Sequence, residues 1–341
     1  MNPSQAPVKR FAGLDAIRFV CAYVVVTGHS PALLPYMERM GRTAGIVGKL
    51  LRDTINGPAA VIVFFVISGF CIHWPYRSGE RIGIAYFARR YLRIGIPLCA
   101  ALLISPFVGI PVSDLVKSVL WSLYCELVYY SIYPLLARAA RRVGWRALTA
   151  VAFLAAFSWA LVWPSPFGSY TTASVFRDSL LGLPCWLMGC MLAERSLPRT
   201  PSLGGIWPWR CAVFAASIAS LEIHFHTRLH FDLSLNFFGI LVYCWLFREL
   251  DHCRTNPPWS WLEQAGAWSY SLYVMHPAAS RLPTMIFPEW SFGLQWLIRI
   301  PLTLGTCYVF YLTVEKPSHR LARVVASRLT RPLAAGVPPL A

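Results

Sequence analysis

Long apolar segments recur along almost the whole chain, near residues 16–34, 56–75, 92–110, 115–137, 147–163, 176–193, 209–223, 233–247, 266–286 and 293–314. Each is close to the roughly 20 residues that a helix needs to cross the hydrocarbon core. Lipid offers no partner for a backbone N–H or C=O, so repeated runs of this length must satisfy those groups internally and fold as α-helices. The pattern predicts an all-α, polytopic transmembrane helical bundle of about ten spans. Composition agrees: 56% of the side chains are hydrophobic and only 13% are charged, about half the charge of an ordinary soluble domain. The net charge of +16 raises a nucleic-acid partner, but the basic residues gather between apolar runs, as topology control requires. No nucleic-acid partner is expected.

An even number of spans returns both ends to one side. With the N terminus cytoplasmic, 21 of the 31 Lys and Arg fall on the inward side, including Lys9, Arg10, Arg199 and a tail from Lys316 to Arg331. This predicts both termini cytoplasmic and a multi-pass protein of the cytoplasmic (inner) membrane. Arg18 interrupts the first apolar run and no clear small-x-small cleavage site follows, so the run reads as a span and not as a signal peptide. No linker or repeat divides the chain, so residues 1–341 read as one integral-membrane domain with short cytoplasmic tails, about 1–12 and 316–341. The ten cysteines show no paired spacing and read as small buried hydrophobes.

Arg18 and His29 stand eleven residues apart with no acidic or basic residue between them. On a helix that spacing returns to nearly the same face about 16 Å further along, which aims a basic pair into the membrane, where ionisable groups mark functional sites. Arg89, Arg90 and Arg93 form a basic cluster at the start of the third span, with Arg90 and Arg93 on one face. One reading is a topology anchor on lipid headgroups; the other is a site for a phosphorylated cytosolic ligand. In the fourth span Ser122, Glu126, Tyr129, Tyr130 and Tyr133 fall in one polar stripe. The buried carboxylate needs a partner, and Arg18 or an arginine of the cluster is the expected one.

These residues resemble the integral-membrane acyltransferase family 3. The resemblance runs through Leu14-Asp15-Ala16-Ile17-Arg18 with His29, Phe64-Phe65-Val66-Ile67-Ser68-Gly69-Phe70, the arginine cluster, Trp121-Ser122-Leu123 with Glu126, Tyr130 and Pro134, Ser269-Tyr270-Ser271-Leu272-Tyr273 with His276-Pro277, and Glu315-Lys316-Pro317. Ala16, Leu127 and Tyr129 depart from the usual pattern without removing a chemical group from it. The resemblance implies an O-acyltransferase that moves an acyl group, commonly acetyl, from acyl-CoA to a hydroxyl of an envelope glycan or related acceptor. Acyl transfer needs a base, oxyanion donors and positioning of both substrates. His29 is the expected base, Arg18 and Glu126 complete the catalytic set, and Arg90 and Arg93 would hold the CoA phosphates. A serine such as Ser68 or Ser122 is an alternative nucleophile. No metal is expected. Partners are then acyl-CoA, a carbohydrate or lipid-linked glycan and membrane lipid, with oligomeric state open. The competing class is a transporter or flippase of a lipid-linked saccharide.

Other features carry less. His224, His226 and His230 read as histidines of an outward loop, weakly spaced for a metal. His276 reads either as a cavity-lining group or as the polar end of a helix. Trp207, Trp209, Trp259 and Trp261 read as interfacial belts.

Overall fold

The computed structural model describes residues 11–29, 41–163, 174–195, 205–227 and 229–330, and all their regular structure is helical. The chain order is α1 (Leu14–His29), α2 (Arg42–Asp53), α3 (Gly57–His73), α4 (Ile84–Ile104), α5 (Trp121–Val143), α6 (Trp145–Val162), α7 (Val175–Glu194), α8 (Trp207–His226), α9 (Phe231–His252), α10 (Ser260–Gly266), α11 (Ser269–Ala279), α12 (Leu282–Ile286), α13 (Phe292–Phe310) and α14 (Lys316–Thr330). A π-turn, Val116–Leu120, runs into α5, and a second, Tyr311–Glu315, joins α13 to α14. Lys9, Arg10, Arg199 and Arg331, which the topology argument uses, lie outside the described residues.

Among the described residues six stretches are long and apolar enough to cross a membrane unaided: Gly57–Tyr76, Ile84–Val108, Trp145–Val162, Val175–Glu194, Phe231–His252 and Phe292–Thr330. The remaining expected spans are helices of another kind. α1 has 16 residues and α11 has 11, lengths of about 24 and 16 Å at 1.5 Å per residue. Both are shorter than the roughly 30 Å hydrocarbon core. The apolar run of α5 is broken by Glu126 and by Arg138, Arg141 and Arg142. Of these, α11 is almost wholly buried, α1 and α5 each bury one face, and α8 buries Ser220 alone; α1 and α5 carry Arg18, His29 and Glu126.

Glycine sets the closest approach at the centre. α3 and α7 cross so tightly that a Cβ on Gly69 would lie 1.9 Å from the Trp186 carbonyl oxygen, and one on Gly189 would lie 2.0 Å from that of Val66. Small residues at a helix crossing let backbones meet where lipid supplies no hydrophobic drive for association. Polar clamps add direction. Asn56 caps α3 by accepting from Ala59 N (3.0 Å) while its amide donates to the Ser217 carbonyl of α8 (2.7 Å). Arg177 of α7 pairs with Asp232 of α9, both buried.

A second close crossing fixes the start of α1. A Cβ on Gly266 would lie 2.0 Å from the Asp15 carbonyl oxygen, and Gly13 N donates to Glu263 Oε1 of α10 at 2.5 Å. Within the expected tail from 316 onward, Lys316 to Thr330 form α14, which packs along α4. Ala322 and Ala326 are buried on that contact, so the amphipathic face of the segment has a helix to cover.

Candidate active site

The expected site residues form a column between the starts of α1 and α4 and the far end of α1. At its basic end, Arg90 is half-buried and Arg93 is exposed, and among the described residues neither guanidinium has an ion pair or hydrogen bond. Arg93 is nonetheless within electrostatic reach of Arg90, Arg18, Glu315 and Tyr130. Two forks of N–H donors uncommitted beside one another could hold an anion. Glu315, from the π-turn, is buried and accepts from both the backbone N (3.0 Å) and the hydroxyl (2.5 Å) of Ser271. It thereby ties the first turn of α11 to the arginine end.

Arg18 is the next group. It donates from Nη1 to Asp15 Oδ1 at 3.0 Å and from Nη2 to Cys71 Sγ at 3.1 Å. The expected pairing with Glu126 does not form. Asp15 lies one turn earlier on the same helix, where an ion pair needs no separate element to be ordered. Glu126 is satisfied locally as well, because the Tyr130 hydroxyl one turn on donates to its Oε1 at 2.5 Å.

That hydroxyl belongs to a directed chain. Trp186 Nε1 donates to Ser68 Oγ (3.3 Å), Ser68 lies 3.1 Å from the Tyr130 oxygen, and Tyr130 donates its one proton to the carboxylate. Ser68 must therefore donate to Tyr130, and a series of bonds ending on an anion polarises along its length. Glu126 Oε2 has no hydrogen bond among the described residues. Ser122 donates to the Tyr273 oxygen at 2.6 Å, since Tyr273 gives its own proton to the Val119 carbonyl (2.9 Å). Among the described residues neither serine touches an imidazole, so neither has the base that would make it a nucleophile. The polar stripe of α5 also divides: Tyr129 donates to the Ser179 carbonyl and Tyr133 bonds His73, both toward the α3–α7 side.

At the far end stands His29, the last residue of α1. Its Nδ1 is 2.9 Å from the Val25 carbonyl oxygen. A carbonyl only accepts, so the proton is on Nδ1 and Nε2 keeps the lone pair. The sequence reading aims this ring into the membrane; in the structure it is exposed. Its ring neighbour is His276 of α11, with centroids 5.2 Å apart at 51°.

The acyltransferase-domain family matches residues 11–314, a span that includes both ends of this column. The chain belongs to that family. It is similar to the acyltransferase MdmB of Streptomyces mycarofaciens, with 23% identity over an alignment of 365 positions that covers 92% of this chain and 93% of the relative. No solved structure matches. This acyltransferase is accordingly a multi-pass membrane enzyme.

His276, read from the sequence as a cavity-lining group or the polar end of a helix, stands beside His29, and Asp15, Cys71, Trp186 and Glu315 join the column without having been singled out as partners of the site. Asp15 was open to inference from its i, i+3 spacing to Arg18. The others meet the site only through tertiary packing. The histidines expected in an outward loop are placed differently. His224 and His226 end α8, His226 pairs with Glu222 one turn earlier (3.0 Å), His224 stacks on Phe231, and His230 precedes α9. Residues at i, i+4 on a helix meet each other before they can meet a shared ion.

Proposed function

We propose that this acyltransferase moves an acyl group, in the simplest case acetyl, from acyl-CoA at the cytosolic face of the inner membrane to a hydroxyl of an envelope glycan or lipid-linked saccharide. The observation that carries the reading is the column itself. It begins in two uncommitted guanidinium groups, Arg90 and Arg93, and ends in an imidazole whose Nε2 is free to accept a proton. Charge-assisted bonds from the two arginines suit the phosphates of CoA. The pantetheine arm then runs along α1 from Arg18 toward His29, about 16 Å by helix rise.

His29 Nε2 takes the proton of the acceptor hydroxyl as its oxygen attacks the thioester carbonyl. The new C–O bond forms, the C–S bond breaks, and the thiolate takes the proton back from the imidazolium. General-base assistance of this kind is worth about 10²–10⁴-fold. Arg18, its charge balanced by Asp15 and its second nitrogen resting on the Cys71 sulfur, holds the donor in line. Glu126, held at Oε1 by Tyr130, offers Oε2 to a hydroxyl of the acceptor. The direct route needs no acyl-enzyme, which accords with Ser68 and Ser122 both lacking a base.

Purified protein in detergent, given acetyl-CoA and an envelope glycan extract, tests the reading by a thiol-trapping assay and by mass spectrometry of the glycan. The expected result is thiol release that requires the glycan and a glycan heavier by one acyl group. Failure of acetyl-CoA and longer acyl-CoA alike to release thiol would overturn the donor. Thiol release supported only by a small non-glycan alcohol would overturn the acceptor.

A further inference from the structure

His276 is fully buried, with 0% of its surface exposed, and its two ring nitrogens have different fates. Nδ1 lies 2.7 Å from the Tyr273 carbonyl oxygen, so it carries the proton and leaves a lone pair on Nε2. Among the described residues that Nε2 has no hydrogen-bond partner. Leaving a buried nitrogen unsatisfied costs about 1–3 kcal/mol, a cost that a helix-packing role alone would avoid with a phenylalanine or leucine. The group beside it is the ring of His29, 5.2 Å away between centroids. His29 has the same arrangement, with Nδ1 held by the Val25 carbonyl and Nε2 free. Two lone pairs repel, and one proton between them binds both.

We propose that His276 is a positioning residue for acyl transfer, whose Nε2 accepts one branch of a forked hydrogen bond from Nε2–H of His29, the other branch going to the reacting oxygen or sulfur, in the state where His29 has taken the acceptor's proton. This rests on the reading of His29 as the base. The balance is closed: the acceptor O–H bond breaks as the N–H bond forms on His29, the proton stays on His29 while His276 accepts from it, and it leaves to the thiolate when the C–S bond breaks. Neither ring is oxidised or acylated. The bond exists only after proton transfer has begun, so it stabilises the transition state without stabilising the bound substrates. Loss of His276 therefore falls on kcat and spares the KM for acyl-CoA, which is set at the opposite end of the column.

The test compares His276→Phe, His276→Leu and His276→Gln in the purified full-length enzyme. Gln keeps an acceptor oxygen near the position of Nε2, whereas Phe and Leu remove it. Either apolar variant that retains the wild-type melting profile is expected to lose about 100-fold in kcat, with the KM for acetyl-CoA within twofold and with Gln recovering most of the loss. Wild-type kcat in the apolar variant, an equal loss in Gln, or a loss carried by KM each overturns the proposal while the wild type remains active. No thiol release by the wild type itself overturns the donor reading and this role together.

Discussion

Gly266→Ala separates positioning from contact, because the residue touches no reacting group. The added Cβ would stand 2.0 Å from the Asp15 carbonyl oxygen and 2.3 Å from its carbon, whereas ordinary contact begins near 3.4 Å. Both neighbours are backbone, so no side chain can swing aside, and α10 and α1 must separate by roughly 1.4 Å in a close-packed interior. Overpacking of this kind costs about 1–3 kcal/mol of stability. The displaced segment is the turn holding Asp15, whose carboxylate is bonded to Arg18, and the Gly13–Glu263 bond lies beside it. A shift of about 1 Å in a positioning group can cost 10²-fold in rate. Steady-state thiol release at saturating acyl-CoA is therefore expected to fall about 100-fold. Gly305→Ala, where a Cβ meets nothing within 4 Å, is expected to stay within twofold of wild type. A Gly266→Ala enzyme with wild-type kcat and an unchanged melting temperature would refute the claim that this crossing sets the position of Arg18.

Replacing both Arg90 and Arg93 by Gln removes two charge-assisted phosphate contacts of about 1.5–3 kcal/mol each. The KM for acyl-CoA should rise at least tenfold with kcat little changed, and an unaltered KM would return the pair to anchoring the helix on lipid. Tyr130→Phe removes the proton that Glu126 accepts and the oxygen that Ser68 bonds, so kcat should fall about 10- to 100-fold in the same assay; unchanged kcat would detach the Trp186–Ser68–Tyr130 chain from the reaction. Gly189→Ala, at the α3–α7 crossing, should lower the melting temperature of the detergent-solubilised protein, since its Cβ would sit 2.0 Å from a backbone oxygen and overpacking costs about 1–3 kcal/mol. An unshifted melting curve would mean that the two helices separate freely.

Local periodicity carries what was legible in the sequence. The helical class follows from apolar run length, and the pairing of Arg18 with His29 on α1 and of Arg90 with Arg93 on α4 follows from residues recurring on single helix faces. Span number is less legible, because length and composition do not separate a helix that crosses lipid from one enclosed by other helices. α11 is enclosed and α1 is covered on one face, and their neighbours supply the polar partners that lipid cannot. Pairing is the least legible feature. Glu126 and Arg18 look like complementary buried charges on different spans, yet each takes a partner from its own helix, Tyr130 and Asp15, at little entropic cost. The approach of His276 to His29 depends on how α1 and α11 cross, and the π-turn that delivers Glu315 to Ser271 has no sequence signature of its own.

Single-turnover acyl transfer by purified His29→Ala bears most directly on the central claim that the imidazole at the end of α1 removes the acceptor's proton. With acyl-CoA and acceptor both saturating, and with the variant melting at the wild-type temperature, the transfer rate should fall by about 10²–10⁴-fold. A folded His29→Ala enzyme that transfers within tenfold of the wild-type rate would contradict it.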